Sequence, residues 1–374
     1  MPKPLCVLPF IHAYFDAQDF LAPCCAYNTH PANYQQVPVT EFDQWWHTGL
    51  DQLRSDMLAG HKHANCDRCW SEEARGLKSY RQHQNEKWKQ YQDIQDPLPV
   101  PIFQMIAPGN FCNLKCIMCS PHLSSAWGVE YEKNKKAFES VGVTWHRYPR
   151  GFWSNRTQAY SVLSRTVPHA QNLHIMGGEP LLNPDCLRVL QQVPDPESVE
   201  LIVSTNLTTL DPQWIELFQR FQTQVIVSVE GVGAKNDYIR AGSVWSDIDA
   251  NIQQLANANI NFHLSTAFGR PSLSSYPELA DYAVSRGTAL HTNMLSWPRF
   301  LSVESAPQAE REKFFLAMSQ RNLSHIDTRP SPIQAYLGQI ADMPYDPQLD
   351  QEFQQYIAVI DRIYSKNYQE IFHA

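Results

Sequence analysis

From residue 98 onward, six short runs rich in branched and aromatic residues recur: VPIFQMIA (100–107), NLHIMGG (172–178), VELIVSTN (199–206), TQVIVSVEG (223–231), INFHLSTAFG (260–269) and ALHTNMLSW (289–297). Between most of them lie patterns of helical period, CLRVLQQV, PQWIELFQRF, SDIDANIQQLANA and YPELADYAVSRG. This alternation constrains the chain more than any other feature. Strands joined through helices demand a parallel sheet with helices over it, because parallel neighbours need a long crossover. Six such units predict an α/β fold, an open, partial (β/α)6 TIM-type barrel in place of a closed eightfold one. In such barrels the chemistry sits at the carboxyl ends of the strands.

Composition divides the chain near residue 97. Residues 1–97 are rich in aromatics, His and Cys and end in SYRQHQNEKWKQYQDIQDP, which reads as helix and linker. The expected organisation is a small cysteine-rich domain at 1–97, the barrel at 98–325 and a C-terminal helical extension at 326–374. The segment 121–168, with Trp127, Trp145 and Trp153, reads as a crossover helix enlarged by an insertion. In the tail, QLDQEFQQYIAVIDRIYSKNYQEIFHA places apolar residues at helical spacing and predicts one helix packed on the body.

The 374 residues are 43% hydrophobic and 18% charged, a globular balance. Net charge is −8 and no basic tract interleaves with aromatics, which argues against nucleic acid as a partner. No run of eighteen apolar residues occurs, and MPKPLCVLPF lacks the apolar stretch of a signal peptide, so neither a membrane span nor export is expected. Nine cysteines is an odd number. In a reducing cytoplasm, the expected location, they serve as metal ligands or free thiols and not as disulfides.

Three of them crowd into GNFCNLKCIMCSP (109–121), at Cys112, Cys116 and Cys119. A tetrahedral zinc site usually takes four ligands, and disulfides take cysteines in pairs. Three thiolates in a loop after the first strand suit a metal centre with one position left open, such as a [4Fe–4S] cluster whose fourth iron binds a small molecule. A structural zinc or an incidental cysteine-rich turn is the competing reading. The C-x3-C-x2-C loop resembles the signature of the radical S-adenosylmethionine (SAM) enzymes, in which the open iron chelates SAM. Where an aromatic usually precedes the third cysteine, near the adenine, this chain has Met118. MGGEP (176–180) is similar to the family's GGEP motif, and the resemblance implies that Gly177 and Gly178 line SAM and Glu179 holds its amino group. It likewise implies Ser228 and Glu230 at the SAM ribose, Asn206 on the same pocket and Arg240, in YIRAGS (238–243), at the SAM carboxylate. GVG at 231–233 lacks the third glycine of a dinucleotide fingerprint.

A second set comprises Cys6, Cys24, Cys25, Cys66 and Cys69. Its spacing is a poor match to a zinc ribbon, although zinc stays open as an alternative. The surrounding sequence resembles a twitch domain, the shortened relative of SPASM, which implies an auxiliary [4Fe–4S] cluster on Cys6, Cys24, Cys66 and Cys69. Cys25 is possible in place of Cys24. Pro9, Glu73, Gly76, Ser79 and Arg81 match the pattern, while Phe10 stands where tryptophan is usual and Asp19 where a turn glycine is expected. The auxiliary domain would precede the core.

Together these resemblances imply two [4Fe–4S] clusters and SAM, with reductive cleavage of SAM to a 5′-deoxyadenosyl radical. An electron donor such as flavodoxin or ferredoxin would serve it. An auxiliary cluster favours an oxidative outcome, dehydrogenation or crosslinking of a ribosomally made peptide or protein side chain. Radical dehydrogenation of a small molecule such as a sugar or aminocyclitol is the alternative. A non-catalytic iron–sulfur or zinc redox sensor or scaffold is the alternative of another class. Cys186, His12 and His63 are read as packing residues.

Overall fold

The structure is a computed structural model that describes residues 5–27, 36–74, 76, 78–146, 148, 151–153, 155–321, 323, 326, 337–338, 340–341 and 343–373. The chain forms two compact units. One comprises Met1–Asn110, Gly151–Val203 and Phe218–Thr223; the other comprises Phe111–Arg150, Ser204–Leu217 and Gln224–Ala374.

Six strands belong to the first unit: β1 (His12–Phe15), β2 (Phe20–Ala22), β3 (Val37–Pro38), β4 (Phe103–Ile106), β5 (Asn172–Ile175) and β6 (Glu200–Thr205, as far as Val203). Their order is β3-β2-β1-β4-β5-β6. β4, β5 and β6 pair in parallel, as the alternation with helices predicts. The N-terminal residues add three strands that the sequence did not announce. β1 lies parallel to β4, with His12 opposite Phe103 and Phe15 opposite Ile106, and β2 and β3 follow antiparallel. The β1–β2 turn is built by Asp16, whose carboxylate accepts from Gln18 N and Phe20 N at 2.8 Å each. It closes through Asp19 at φ 69°, the left-handed region that glycine usually fills. One face of this sheet carries Ala13, Gln104 and Leu173, all fully buried. Gln104 satisfies its amide there by donating to Thr166 O (2.8 Å) and accepting from Thr166 Oγ1 (3.0 Å), at the end of the helix Arg156–Thr166. The opposite face aligns Tyr14, Met105 and His174 in one row.

In the second unit β7 (Gln222–Ser228, from Gln224), β8 (Asn261–Phe268) and β9 (Leu290–Met294) run parallel. The crossover from β7 to β8 holds the helices Ala234–Ile239 and Trp245–Asn257, and Tyr276–Ser285 joins β8 to β9. The face bearing Val225, Val227, Leu264, Phe268 and Leu290 is fully buried, which the helices' apolar stripes explain. All six β-type runs are thus strands, and the mixed α/β architecture with parallel strands is consistent with a partial TIM-type barrel.

The tail forms two helices, not one: Pro347–Tyr364 and Tyr368–His373. Ser365 ends the first in a left-handed conformation at φ 51°, with its N–H on Asp361 O, and turns the chain. The long helix buries Leu349, Phe353, Tyr356, Ile357, Val359 and Ile360. At roughly 1.5–3 kcal/mol per fully buried large side chain, that stripe is what holds it down. It packs in one cluster with Ile117, Trp127, Tyr131 and Phe138. No helix among the described residues is long and apolar enough to cross a membrane.

Candidate functional site

The cysteine loop has no regular structure, so its backbone groups must find partners elsewhere. Lys115 N donates to Ala241 O (2.8 Å) and Ile117 N to Ile239 O (2.9 Å), which ties the loop along the YIRAGS segment. Side chains also take its carbonyls: Trp127 Nε1 on Cys116 O (2.8 Å), Ser124 Oγ on Leu114 O (2.6 Å), Tyr356 Oη on Ile117 O (2.6 Å), Ser125 Oγ on Cys112 O (3.2 Å) and Tyr364 Oη on Lys115 O (3.4 Å). The C-terminal helix therefore braces the loop directly. Met118 packs partly buried against the same cluster.

The sulfurs receive donors. Leu114 N (3.5 Å) and Asn206 Nδ2 (3.9 Å) approach Cys112 Sγ, and Arg240 Nη1 approaches Cys116 Sγ at 3.8 Å. Asn206 is aimed by a turn of its own, its Oδ1 accepting from Thr208 N (3.0 Å) while Nδ2 also reaches Asn113 Oδ1 (3.0 Å). Arg240 Nη2 pairs with Glu230 Oε1 at 2.9 Å. The other Glu230 oxygen accepts from Thr266 Oγ1 (2.6 Å) and Ala267 N (2.8 Å). Glu230 is fully buried, and burial raises its pKa against the pull of Arg240 and these donors. Burial alone would lower Arg240, but Cys116 and Glu230 outweigh it and keep the guanidinium charged. Burial likewise pushes the Cys116 thiol up to about 12, opposed by Arg240 and reinforced by Cys119. Cys119 rises to about 12 through burial and then Cys112. Cys112, Cys116, Cys119, Asn206, Glu230 and Arg240 thus form one connected group, and Ser228 lies on β7 two residues before Glu230.

Gly177, Gly178 and Glu179 belong to the first unit. Both glycines take positive φ, 80° and 56°. A Cβ on Gly177 would overlap the Ala107 side chain, so only glycine fits where β4 and β5 end side by side. Glu179 is buried and accepts from Leu181 N at 3.0 Å, starting a helical turn at Pro180–Leu182.

The second cysteine set also converges within the first unit. The Cys6 thiol, raised to about 12 chiefly by burial, feels Cys66 and Cys69. Cys24, raised by burial first, feels Cys25, Cys6 and Cys66. Cys66 rises to about 12 through burial and then Cys69. Arg81 locks the Cys6 segment to the Cys66–Cys69 segment, reaching Leu5 across 76 residues of chain. Its fork grips Glu73 (2.9 and 2.8 Å), its Nη1 donates to Leu5 O (2.7 Å), and its guanidinium lies 4.9 Å from the Trp70 ring. Ser79 Oγ adds a bond to Glu73 at 2.6 Å and caps the helix Tyr80–Lys87. Burial would raise Glu73, but the Arg81 fork and the Ser79 hydroxyl hold it below the usual carboxylate range. The four matched positions Glu73, Gly76 (φ 76°), Ser79 and Arg81 thus make one brace under Cys66 and Cys69. The Tyr80 hydroxyl, missed from sequence, sits between the Cys25 thiol and Met105 Sδ (3.8 Å). His63 caps the turn Ala64–Cys66 through Nδ1 (3.2 Å from Asn65 N), and His12 Nδ1 bonds Pro23 O (2.9 Å). Cys186 is buried in the helix Pro184–Leu190.

Both groups have the donor chemistry of an iron–sulfur centre: several thiols, with Cys6, Cys69 and Cys116 buried, whose protons a strongly positive centre would displace. Among the described residues no three His, Cys, Asp or Glu side chains converge on a single ion-sized point; a cluster asks for a wider spread, one thiolate per iron. Arg240 Nε is buried and without a partner among the described residues, a donor left over for an anionic group. Further polar residues legible only in three dimensions are His263 and His291, whose rings stack at 3.8 Å on β8 and β9, and Asn293, which donates to Ser265 Oγ at 3.0 Å.

Residues 106–283 match the family model of the Radical SAM superfamily. Among solved structures, the chain is similar to native anSMEcpe with bound AdoMet, at 15% identity and a TM-score of 0.41, covering 58% of this chain and 59% of that one. It is also similar to Streptococcus suis SuiB, at 14% identity and a TM-score of 0.41, covering 87% of this chain and 72% of that one. The chain thus spans less than two thirds of the length of anSMEcpe. A comparison with curated proteins finds no match.

Proposed function

We propose that this chain, which carries a radical SAM superfamily domain over residues 106–283, cleaves S-adenosylmethionine reductively and oxidises a peptide or protein side chain. The observation that carries the reading is the loop of Cys112, Cys116 and Cys119, braced on three sides, with Asn206 and Arg240 donating onto its sulfurs. These thiols would hold a [4Fe–4S] cluster with one iron open. When bound, that cluster would supply the electron for reductive cleavage of SAM, and with it the radical chemistry that removes a hydrogen atom from the substrate. The chain's own part is to bind and orient. Arg240 keeps Nε for the SAM carboxylate while Glu230 fixes the rest of its guanidinium. Gly177 and Gly178 admit a ligand to the backbone, and Glu179 offers a carboxylate to its ammonium group.

Cys6, Cys24, Cys66 and Cys69 would hold a second, twitch-type cluster, with Cys25, bonded to Tyr80, the alternative to Cys24. A second cluster supports an oxidative outcome, because it can accept an electron. An electron donor such as flavodoxin or ferredoxin would deliver the first one.

Anaerobic reconstitution tests this directly. About eight irons per chain are expected for two clusters, and dithionite with SAM should yield 5′-deoxyadenosine by mass spectrometry. Alanine at Cys112, Cys116 and Cys119 should abolish cleavage, and alanine at Cys66 and Cys69 should halve the iron. Bound zinc, or iron without SAM cleavage, would overturn the proposal in favour of a redox sensor or scaffold.

A further inference from the structure

β7, β8 and β9 have two unlike faces. One is apolar and sealed by helices; the other is polar and partly open. Register puts Ser228, Ser265 and His291 in one row across the three strands. The next row toward the carboxyl ends holds Ala267 and Asn293, with Glu230 two residues beyond Ser228 and bonded to Ala267 N. Glu230 leads through Arg240 to Cys116 Sγ. The Ser265–His291 row therefore lies one pleat, about 7 Å, below the row that reaches the cysteine loop. Two strand spacings, about 10 Å, separate β7 from β9.

The side chains on this face are organised. Asn293, exposed, donates to Ser265 Oγ at 3.0 Å. His263, nearly fully buried, sits diagonally below His291 on the same face, and the rings stack at 3.8 Å with planes 31° apart. A buried ring under a partly open one fixes the upper imidazole against rotation, as cross-strand diagonal neighbours do. Apolar packing does not explain a hydroxyl, an amide and two imidazoles on one open face beside the cysteine loop.

We propose that Ser265, His291 and Asn293, seated on His263, form the substrate-binding floor of the second unit, and that His291 is the proton acceptor of the oxidation. The inference rests on the radical SAM reading above and deepens it. Oxidation removes from the substrate one hydrogen atom, one electron and one proton. The hydrogen atom goes to the deoxyadenosyl radical and the electron to a one-electron acceptor of the iron–sulfur class. The proton goes to an imidazole nitrogen of His291, and the substrate gains one double bond or one crosslink. The group bound on the floor is an uncharged hydrogen-bonding one, a hydroxyl or amide, since Ser228, Ser265 and Asn293 carry no charge and Glu230, in the row above, is already paired with Arg240. That chemistry can come from a peptide side chain or from a polyol.

The first measurement is binding to the reconstituted holoenzyme carrying 13C-labelled histidine, with two probes, the blocked tripeptide Ac-Gly-Ser-Gly-NH2 and myo-inositol. The His263 and His291 ring signals, assigned from His263→Phe and His291→Gln, should move together and saturably with one probe, which identifies the source. Asn293→Ala should weaken that binding about threefold to tenfold, the loss of one or two hydrogen bonds. If neither probe moves either ring, the floor is refuted. The second measurement separates binding from proton transfer. His291→Gln keeps a hydrogen-bonding side chain, so affinity should change by no more than about threefold while oxidation of the bound probe falls by about a hundredfold or more. Added imidazole should restore turnover in His291→Ala. Unchanged oxidation in His291→Gln would overturn the acceptor role. Probe binding in an enzyme that makes no deoxyadenosine would instead defeat the radical SAM reading and leave the floor standing.

Discussion

Arg81 and Glu73 hold the second cysteine set together, and a double-mutant cycle measures how firmly. Their side chains are 7% and 17% exposed, so water screens the pair weakly. Arg81→Met removes two bonds to Glu73, the bond to Leu5 O beside Cys6, and the charge over Trp70, while keeping the stem's packing. Removing one partner of a buried pair costs about 3–5 kcal/mol, because the other charge stays buried and unmatched. Glu73→Gln preserves shape and strands the guanidinium, at about 2–3 kcal/mol for weakened charge-assisted bonds. With both changed, nothing charged is left behind, so the double variant should lose about 2 kcal/mol less than the sum. Urea unfolding of the four metal-free chains, followed by circular dichroism at 25 °C, gives the cycle. Iron counts after reconstitution should fall by about half in Arg81→Met, because the Cys6 and Cys66–Cys69 segments lose their common anchor. A coupling under about 0.5 kcal/mol would refute the reasoning, and so would full iron in Arg81→Met.

Gly177→Ala and Gly142→Ala put a Cβ at nearly equal backbone angles, φ 80° and 76°, but only the first meets Ala107. Both should lose about 1–2 kcal/mol in denaturant unfolding, with about 1–3 more for Gly177, and equal losses would discount the close approach of β4 and β5. Burial lowers the His12 imidazole to about 3, below its unfolded 6.5, so its contribution is full above pH 6.5 and lost as pH falls toward 3. Between pH 6.5 and 5 the native chain should lose about 2 kcal/mol relative to His12→Gln, and parallel pH profiles would show that the ring is not held neutral. Ser365→Gly should raise stability by up to about 1 kcal/mol, since glycine takes the left-handed turn after the long helix without strain. A lower melting temperature would mean that the serine side chain contributes there.

Much of the barrel part was legible because its information is local. Each β-type run from VPIFQMIA to ALHTNMLSW is a strand, and the helical patterns between them are helices, since periods of 2 and 3.6 are written into neighbouring residues. The tail was half legible. Its apolar stripe is real, but the break at Ser365 depends on a single backbone conformation that no periodicity reveals. β1 was not legible at all: HAYF is four residues without alternation, and only pairing with Phe103–Ile106, some ninety residues later, makes it a strand.

The same division runs through the candidate site. Three cysteines in eight residues announce their chemistry wherever they fold, because the spacing of a loop is a property of the chain. What they are given to work with is not. That Arg240 turns one nitrogen to Cys116, 124 residues away, and another to Glu230, and that Tyr356 of the last long helix braces the loop across 239 residues, follows from packing. So does the stacking of His263 on His291. Sequence alone determined which elements could form and which side chains carried reactive groups. Tertiary structure decided which of those groups meet, because hydrogen bonds and burial are satisfied only when distant segments close on one another.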